Sequence, residues 1–374
     1  MDLAGKRPPV MRVLVVNAGS STLKLRLLGS DDEILADAEL AATQPKVDRR
    51  ALTRALDSPL RDADAIGHRI VHGGGRFRTA QRIDAEVERD LRALCDLAPL
   101  HQAKSLAALD AVSGVLPHLP SVACFDTAFH ATLEPAASTY ALPAEWCERW
   151  GLRRYGFHGL SHAWVARRAP ELLGREGARL RVVSCHLGAG ASLCAIRGGR
   201  SCDTTMGFTP LEGLVMATRS GSVDPGLLMW LLERERIALD ELADALEHRS
   251  GLQALGGTAD MRELLVRSGG GDRAARLAIE VYIHRLRSAI GAMCASLDGL
   301  DVLVFTGGVG ERSSQIRELA IAGLEFLGLG IDGERNGHAT QDVDISASNA
   351  TAATLVIDSR EDLEISAQVR SVLR

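Results

Sequence analysis

No stretch of this chain reaches the roughly 18 uninterrupted apolar residues that a bilayer-spanning helix needs. The opening MDLAGKRPPV also lacks the apolar core of a secretory signal. The cytoplasm is therefore the expected compartment, with no membrane partner. Charge is equally unmarked: Lys plus Arg total 43 against 48 for Asp plus Glu, a formal net of −5, and no basic block stands out. The electrostatic footprint of a nucleic-acid binder is missing, so the expected partner is a small molecule. Seven cysteines (Cys95, Cys124, Cys147, Cys185, Cys194, Cys202, Cys294) are odd in number, scattered and without a CxxC pair. Neither a disulfide framework nor a zinc site organises such a chain, and free thiols are expected.

What is present suits a globular protein. The 374 residues are 46% hydrophobic and 24% charged, and at about 150 residues per domain that length predicts two domains. Apolar runs predict strands over residues 11–17, 23–28, 65–72, 121–126, 179–187, 192–197, 301–308 and 353–358. The clearest helix is predicted over 274–297, where Ile279, Ile283, Leu286, Ile290, Met293 and Leu297 recur at steps of four and three and form one apolar stripe. Mixed strands and helices in this order predict an α/β protein with helices covering its sheets. An internal echo sharpens this. VLVVNAGSSTLKLRLL from Val13 and RVVSCHLGAGASLCAI from Arg181 share one plan: strand, polar residue, small-residue turn, strand. Asn17 and His186 hold the same place in the two copies, about half the chain apart, as duplication of one fold would produce.

Small residues mark the candidate sites. Gly19, Ser20, Ser21 and Thr22, with Lys24 beyond, outline a phosphate cradle or a plain hairpin turn; a P-loop is excluded by the residue order and by the strand that follows. Gly188 and Gly190 in HLGAGAS, and Gly307, Gly308 and Gly310 in FTGGVGE, also follow apolar strands, where glycine lets a phosphate approach the backbone. Residues 203–226 form a polar loop in which Arg219 is the natural anion partner, because guanidinium holds two oxygens at once and stays charged. His158 and His162 stand four apart in RRYGFHGLSH without an HExxH glutamate, leaving phosphoryl contact or core hydrogen bonding. GHRIVHGGGRF brings His68, Arg69 and His72 to a strand end. FDTAFH places Asp126 similarly, to orient a cation or to cap a helix.

Taken in order, NAGSSTLK, GHRIVHGG, LAPLH, FDTAFH, RRYGFHGLSH, CHLGAG, DTTMGFTPLEGL, TRSG and FTGGVGE resemble the acetate kinase family across nearly the whole chain. The resemblance implies an α/β fold of two duplicated actin-like (ribonuclease H-like) domains with a cleft between them, drawn here as 1–127 with 362–374 returning, and 128–361. It implies reversible transfer of the terminal phosphoryl of ATP to acetate, giving acetyl phosphate and ADP, with magnesium or manganese, in a homodimer. By motif, Asp126, His158 and Arg219 would be catalytic, and Arg69 would grip acetate and the moving phosphoryl together with Arg219. Val71, Leu100, Phe157 and Pro210 would surround the methyl group. Asn17 and Glu361 would hold the metal, Glu361 through IDSREDL, in which Ser359 and Arg360 depart from the family pattern. Ser20, Thr22, Lys24, His186, Leu187, Gly188, Ala189 and Gly190 would line the phosphates. Asp260, Met261 and Arg262, with Gly308, Val309, Gly310, Glu311 and Arg312, would surround the adenosine end.

Acetate is already ionised at neutral pH, so Asp126 is not needed as a base. Catalysis is expected to be positioning plus charge neutralisation. The chain departs from the family at QAKS after LAPLH, where NPPN is usual, at Ala189 and Arg312, where Asn is usual, and at TAD before Met261. These departures cluster on the nucleotide side. The alternatives are a kinase for propionate or another short carboxylate, a different phosphoryl donor, and a non-catalytic nucleotide-binding regulator.

Overall fold

The computed structural model describes residues 11–19, 22–41, 49–57, 59–97 and 99–374. Ser20 and Ser21 of the first glycine turn lie outside them. The chain divides into two compact units, Met1–Phe129 with Arg360–Arg374, and His130–Ser359. The boundaries fall at 129/130 and 359/360, against 127/128 and 361/362 expected from the sequence. The return begins earlier because Glu361 is hydrogen-bonded to Asn17 and opens the C-terminal helix of the first unit.

The first unit is built on β1 (Val13–Ala18), β2 (Thr22–Leu28), β3 (Ile34–Ala41), β4 (Ala65–Ile70), β5 (Gln81–Arg82) and β6 (Ser121–Phe125), in the order β3-β2-β1-β4-β6-β5. Strands β1, β4 and β6 run parallel, while β2, β3 and β5 pair antiparallel. The second unit uses β7 (Arg181–Leu187), β8 (Ala191–Arg197), β9 (Arg200–Thr204), β10 (Val302–Thr306), β11 (Val343–Asp344) and β12 (Ala353–Val356), in the order β11-β12-β10-β7-β8-β9. Read from β9, that order and its strand directions repeat the first sheet. The echoed hairpins are β1–β2 and β7–β8, the same members of the two sheets.

All eight strands expected from apolar runs are present. Central parallel strands are covered on both faces and so read as continuous apolar stretches; Val13 to Val16 and all of β10 are buried. Four strands went unread, β3, β5, β9 and β11, and together they form the edges of the two sheets. β3 alternates between half-buried and exposed residues, too polar to register as an apolar run. The predicted helix forms over Arg273–Ser296, with Asp272 accepting from the Ala274 and Ala275 amides as its N-cap. Its stripe from Ile279 to Met293, with Leu297 beyond, is buried. All seven cysteines are free thiols. Among the described residues no helix is long and apolar enough to cross a membrane.

The C-terminal helix Glu361–Leu373 lies against β4 at Gly67, where an added Cβ would come within 2.5 Å of Ile365 Cγ2 and 2.7 Å of Val369 Cγ2. Both neighbours are β-branched and stiff, so the helix itself would have to move. Gly67→Val is expected to lower stability by about 1–3 kcal/mol, read as a drop in Tm; an unchanged Tm would contradict this packing.

His68, His130 and His162 are buried away from solvent. Burial pushes His68 down to about 3, His130 down to about 4, and His162 well below the ordinary imidazole value. The unfolded chain therefore binds protons that the folded chain refuses. This contribution to stability is complete above the unfolded value near pH 6.5 and is lost as the pH falls toward the folded values. The slope reaches about 1.4 kcal/mol per pH unit for each histidine. Urea midpoints measured at pH 7.5 and 5.5 should fall toward acid, and equal midpoints would show that these imidazoles are accessible to protons.

Candidate active site

In the first unit the sequence-predicted residues gather at the carboxyl ends of the parallel strands, where open α/β sheets bind their ligands. Asn17 stands near the end of β1, Arg69 near the end of β4, and Asp126 directly after β6. Strand alternation separates their neighbours. Ile66 and Ile70 enter apolar core clusters, so His68, between them, faces the core while Arg69 faces the other way. The Arg69 guanidinium grips Asp126 through Nε (3.1 Å) and Nη2 (2.7 Å), donates from Nη1 to Asn17 Oδ1 (3.1 Å), and lies 3.9 Å from Glu361 Oε2. Asn17 Nδ2 donates in turn to Glu361 Oε2 at 2.9 Å. Burial opposes the charge on Arg69, but Asp126 and Glu361 more than offset it and hold the guanidinium above its ordinary value. Burial pushes the Asp126 carboxyl up against the pull of Arg69, and Glu361 adds to the rise. Asp126 is therefore spent on fixing Arg69, and the helix-cap alternative does not hold.

Lys24 is exposed on β2, in register with Asn17, and Gly19 closes the turn by donating to the Thr22 carbonyl at 2.8 Å. Val71 is buried beyond β4, while Leu100 lies in the helix Pro99–Ser113, its side chain outside those described. His72 is buried, and its Nδ1 accepts from the Gly74 amide. Gln102, part of the QAKS departure, is the residue that sequence reading missed here. It accepts from the His72 amide and donates to the His72 carbonyl, clamping the loop that carries Val71. Its only signal was that departure.

The second unit gathers the rest. His158 caps the helix Gly159–Leu173 at φ 55°, a left-handed conformation uncommon outside glycine and concentrated at functional sites. Its Nδ1 lies 2.9 Å from Ser192 Oγ on β8. Its ring is 4.4 Å from that of His186 on β7, and Ser161 Oγ is 2.8 Å from His186 Nδ1. Arg219 is held by Glu247 through Nε (3.1 Å) and by the Pro210 carbonyl through Nη1 (3.4 Å). The turn formed by Gly188, Ala189 and Gly190 closes with the Gly188 amide donating to the Gly190 carbonyl. A Cβ on Gly190 would lie 3.4 Å from both Arg219 Nη1 and His158 Nε2, so the turn, the arginine and the histidine converge. Leu187 is buried, and its carbonyl would lie 2.9 Å from a Cβ on Gly307, a residue at φ 76°. Phe157 and Pro210 are buried as well.

Gly308, Val309, Gly310, Glu311 and Arg312 occupy the short helix Gly307–Arg312 after β10. Glu311 Oε1 accepts from the Gly307 and Ser359 amides, and burial pushes its carboxyl up. Asp260 caps the helix Met261–Gly269 and pairs with the exposed Arg262; that bond and the Arg262 amide draw its carboxyl down to about 2. Met261 is buried. Sequence reading missed Ser184, Ser192, Glu247 and the structural use of His130, whose Nε2 meets the Phe157 carbonyl at 3.0 Å. His130 closes the FDTAFH motif and was legible there, whereas Glu247 carried no signal.

The chain is 41% identical to an acetate kinase of Nostoc, over 97% of its own length and 100% of that protein's. Two solved structures are similar to it throughout. An acetate kinase of Porphyromonas gingivalis is 34% identical with a TM-score of 0.89, and a propionate kinase of Francisella tularensis is 33% identical with a TM-score of 0.90. Each match covers 97% of this chain and 100% of the other. The model of the acetokinase family matches residues 38–367, and the chain belongs to that family.

Proposed function

We propose that this protein is an acetate kinase, transferring the terminal phosphoryl of ATP reversibly to acetate to give acetyl phosphate and ADP. The observation that carries the reading is a pair of fixed guanidinium groups. Arg69 is locked by Asp126 and Asn17, and Arg219 is locked by Glu247 and Pro210 beside His158 and the Gly190 turn. Phosphoryl transfer to a carboxylate brings one anion against another, and its loose transition state spreads charge over the equatorial oxygens. Preset positive groups reduce that repulsion without reorganising during the reaction.

In this reading Arg69 and Arg219 hold acetate and the moving phosphoryl, and His158 donates to an equatorial oxygen. Lys24, His186, Leu187, Gly188, Ala189 and Gly190 attend the phosphates. Asp260, Met261, Arg262 and residues 308–312 attend adenosine, and Val71, Leu100, Phe157 and Pro210 the methyl group. Glu361 and Asn17 present hard oxygen donors, and the described residues contain no cluster of three His, Cys, Asp or Glu. That set suits magnesium, or manganese in its place, which keeps several waters and takes one or two protein oxygens together with phosphate oxygens. When bound, the metal neutralises charge on the donor phosphates. The same residues suit propionate as a slower acceptor, since one methylene changes discrimination by only about 1–3 kcal/mol.

The helix Pro225–Glu233 buries none of its residues and exposes Leu227, Met229 and Trp230. An apolar helix of this kind needs cover, which supports a homodimer formed by a second copy seated there; cytoplasmic residence completes the reading. Light scattering should give twice the 39.9 kDa chain mass. Trp230→Glu should shift the protein toward monomer, and an unchanged dimer would move the interface elsewhere.

The deciding assay couples ADP formation from ATP and magnesium to trapping of acetyl phosphate as its hydroxamate, with and without acetate. Turnover should require acetate. A cation about 4 Å from a phosphoryl oxygen contributes ~4 kcal/mol at an effective dielectric near 20, so Arg219→Ala should cost roughly 10³-fold in kcat. Equal rates for variant and wild type would remove Arg219 from the chemistry.

A further inference from the structure

His158 is the visible end of a buried chain of hydrogen bonds. Its Nδ1 lies 2.9 Å from Ser192 Oγ, the same oxygen lies 2.9 Å from His162 Nε2, and His162 Nδ1 lies 2.9 Å from Ser184 Oγ. His162, Ser184 and Ser192 are each fully buried. We propose that Ser184, His162 and Ser192 act as positioning residues that hold His158 as the neutral tautomer with its proton on Nε2. The ring would then meet the phosphoryl group as an uncharged hydrogen-bond donor, a role that rests on the kinase reading above.

Proton counting carries the argument. A neutral imidazole has one donor and one acceptor nitrogen, and a serine hydroxyl has one proton. His162 is neutral, since burial and the neighbouring His130 and His186 rings oppose its protonation. The chain then has two polarities. In one, Ser184 donates to His162 Nδ1, His162 Nε2–H donates to Ser192, and Ser192 donates to His158 Nδ1, leaving the His158 proton on Nε2. In the other, every bond reverses and Ser184 Oγ becomes an acceptor. Its own proton then lacks a partner among the described residues, because His162 is the only hydrogen-bond partner of that hydroxyl. Buried donors are rarely left unpaired, so the first polarity prevails.

The surroundings agree. The groups facing His158 include His162 from its own helix, His186 from β7, Ser192 from β8, and Arg219 across the Gly190 turn. A positive imidazole would stand beside the Arg219 guanidinium and would need its Nδ1 as a donor, which the Ser192 proton already opposes. Such a tautomer donates a hydrogen bond without transferring a proton.

The test is nitrogen-15 NMR of histidine-labelled full-length protein, with the His158 signals identified by their loss in His158→Gln. The expected wild-type signature at pH 7.5, above the ordinary imidazole value near 6.5, is a protonated Nε2 and an unprotonated Nδ1. An imidazolium, or a proton on Nδ1, at pH 7.5 would overturn the proposal. Ser192→Ala should abolish the signature and lower kcat roughly tenfold or more, with KM for ATP and acetate held within about twofold. Ser192→Thr, which keeps the hydroxyl, should restore much of both. An unaltered tautomer in Ser192→Ala would overturn the chain as its cause. If that variant does not fold, the wild-type spectrum decides. The spectrum needs no turnover, so it stands or falls apart from the acetate-dependent assay.

Discussion

A guanidinium that is both charged and mostly buried is the constraint on which the first unit turns. Arg69 keeps its charge because Asp126 meets it in a fork, Asn17 offers an amide oxygen, and Glu361 stands within 4 Å. Those partners come from the ends of β1 and β6 and from the start of the C-terminal helix. One compensated charge thus ties together segments from both ends of the chain. Losing one partner of such a set leaves an uncompensated buried charge, which is far more damaging than an exposed pair would be. Arg219 follows the same design with one carboxylate, Glu247, and two weaker acceptors, the Pro210 carbonyl and the Met216 thioether.

The two units solve different problems with one duplicated actin-like sheet. Asn17 and His186 occupy the same strand in the repeated order, and each precedes a turn closed by a glycine amide. In the first unit the strand ends carry carboxylates and amides, which suit a hard cation and a fixed arginine. In the second they carry imidazoles and serines around a glycine turn, which suit hydrogen bonding to anionic oxygens. The scaffold supplies the direction in which side chains leave the sheet, and the residue types supply the chemistry.

Central strands and glycine turns were legible in the sequence because each is a local pattern. A buried parallel strand is an apolar run, and the stripe from Ile279 to Leu297 is periodic within one helix. What escaped was defined by distant neighbours. β3, β5, β9 and β11 owe their existence to pairing at sheet edges, so their own sequences carry weak apolar signals. Ser184 and Ser192 sit inside apolar strands and read there as neutral filler, and only the pairing of β7 with β8 beside the helix of His162 gives them a partner. Gln102 was visible as a departure from a family pattern, but its grip on the His72 backbone comes from folding, which brings residues thirty apart together.

The Glu311 carboxylate has a bearing on how this gene tolerates damage. It anchors the amide of Ser359, the last residue of the second unit, and the next two residues carry the Arg360 clamp on Asp362 and the Glu361 carboxylate beside Asn17. A frameshift or premature stop just before Arg360 would leave the second unit complete while deleting Glu361 and the helix packed on Gly67. Late truncations, usually the mildest class, would here fall among the most severe.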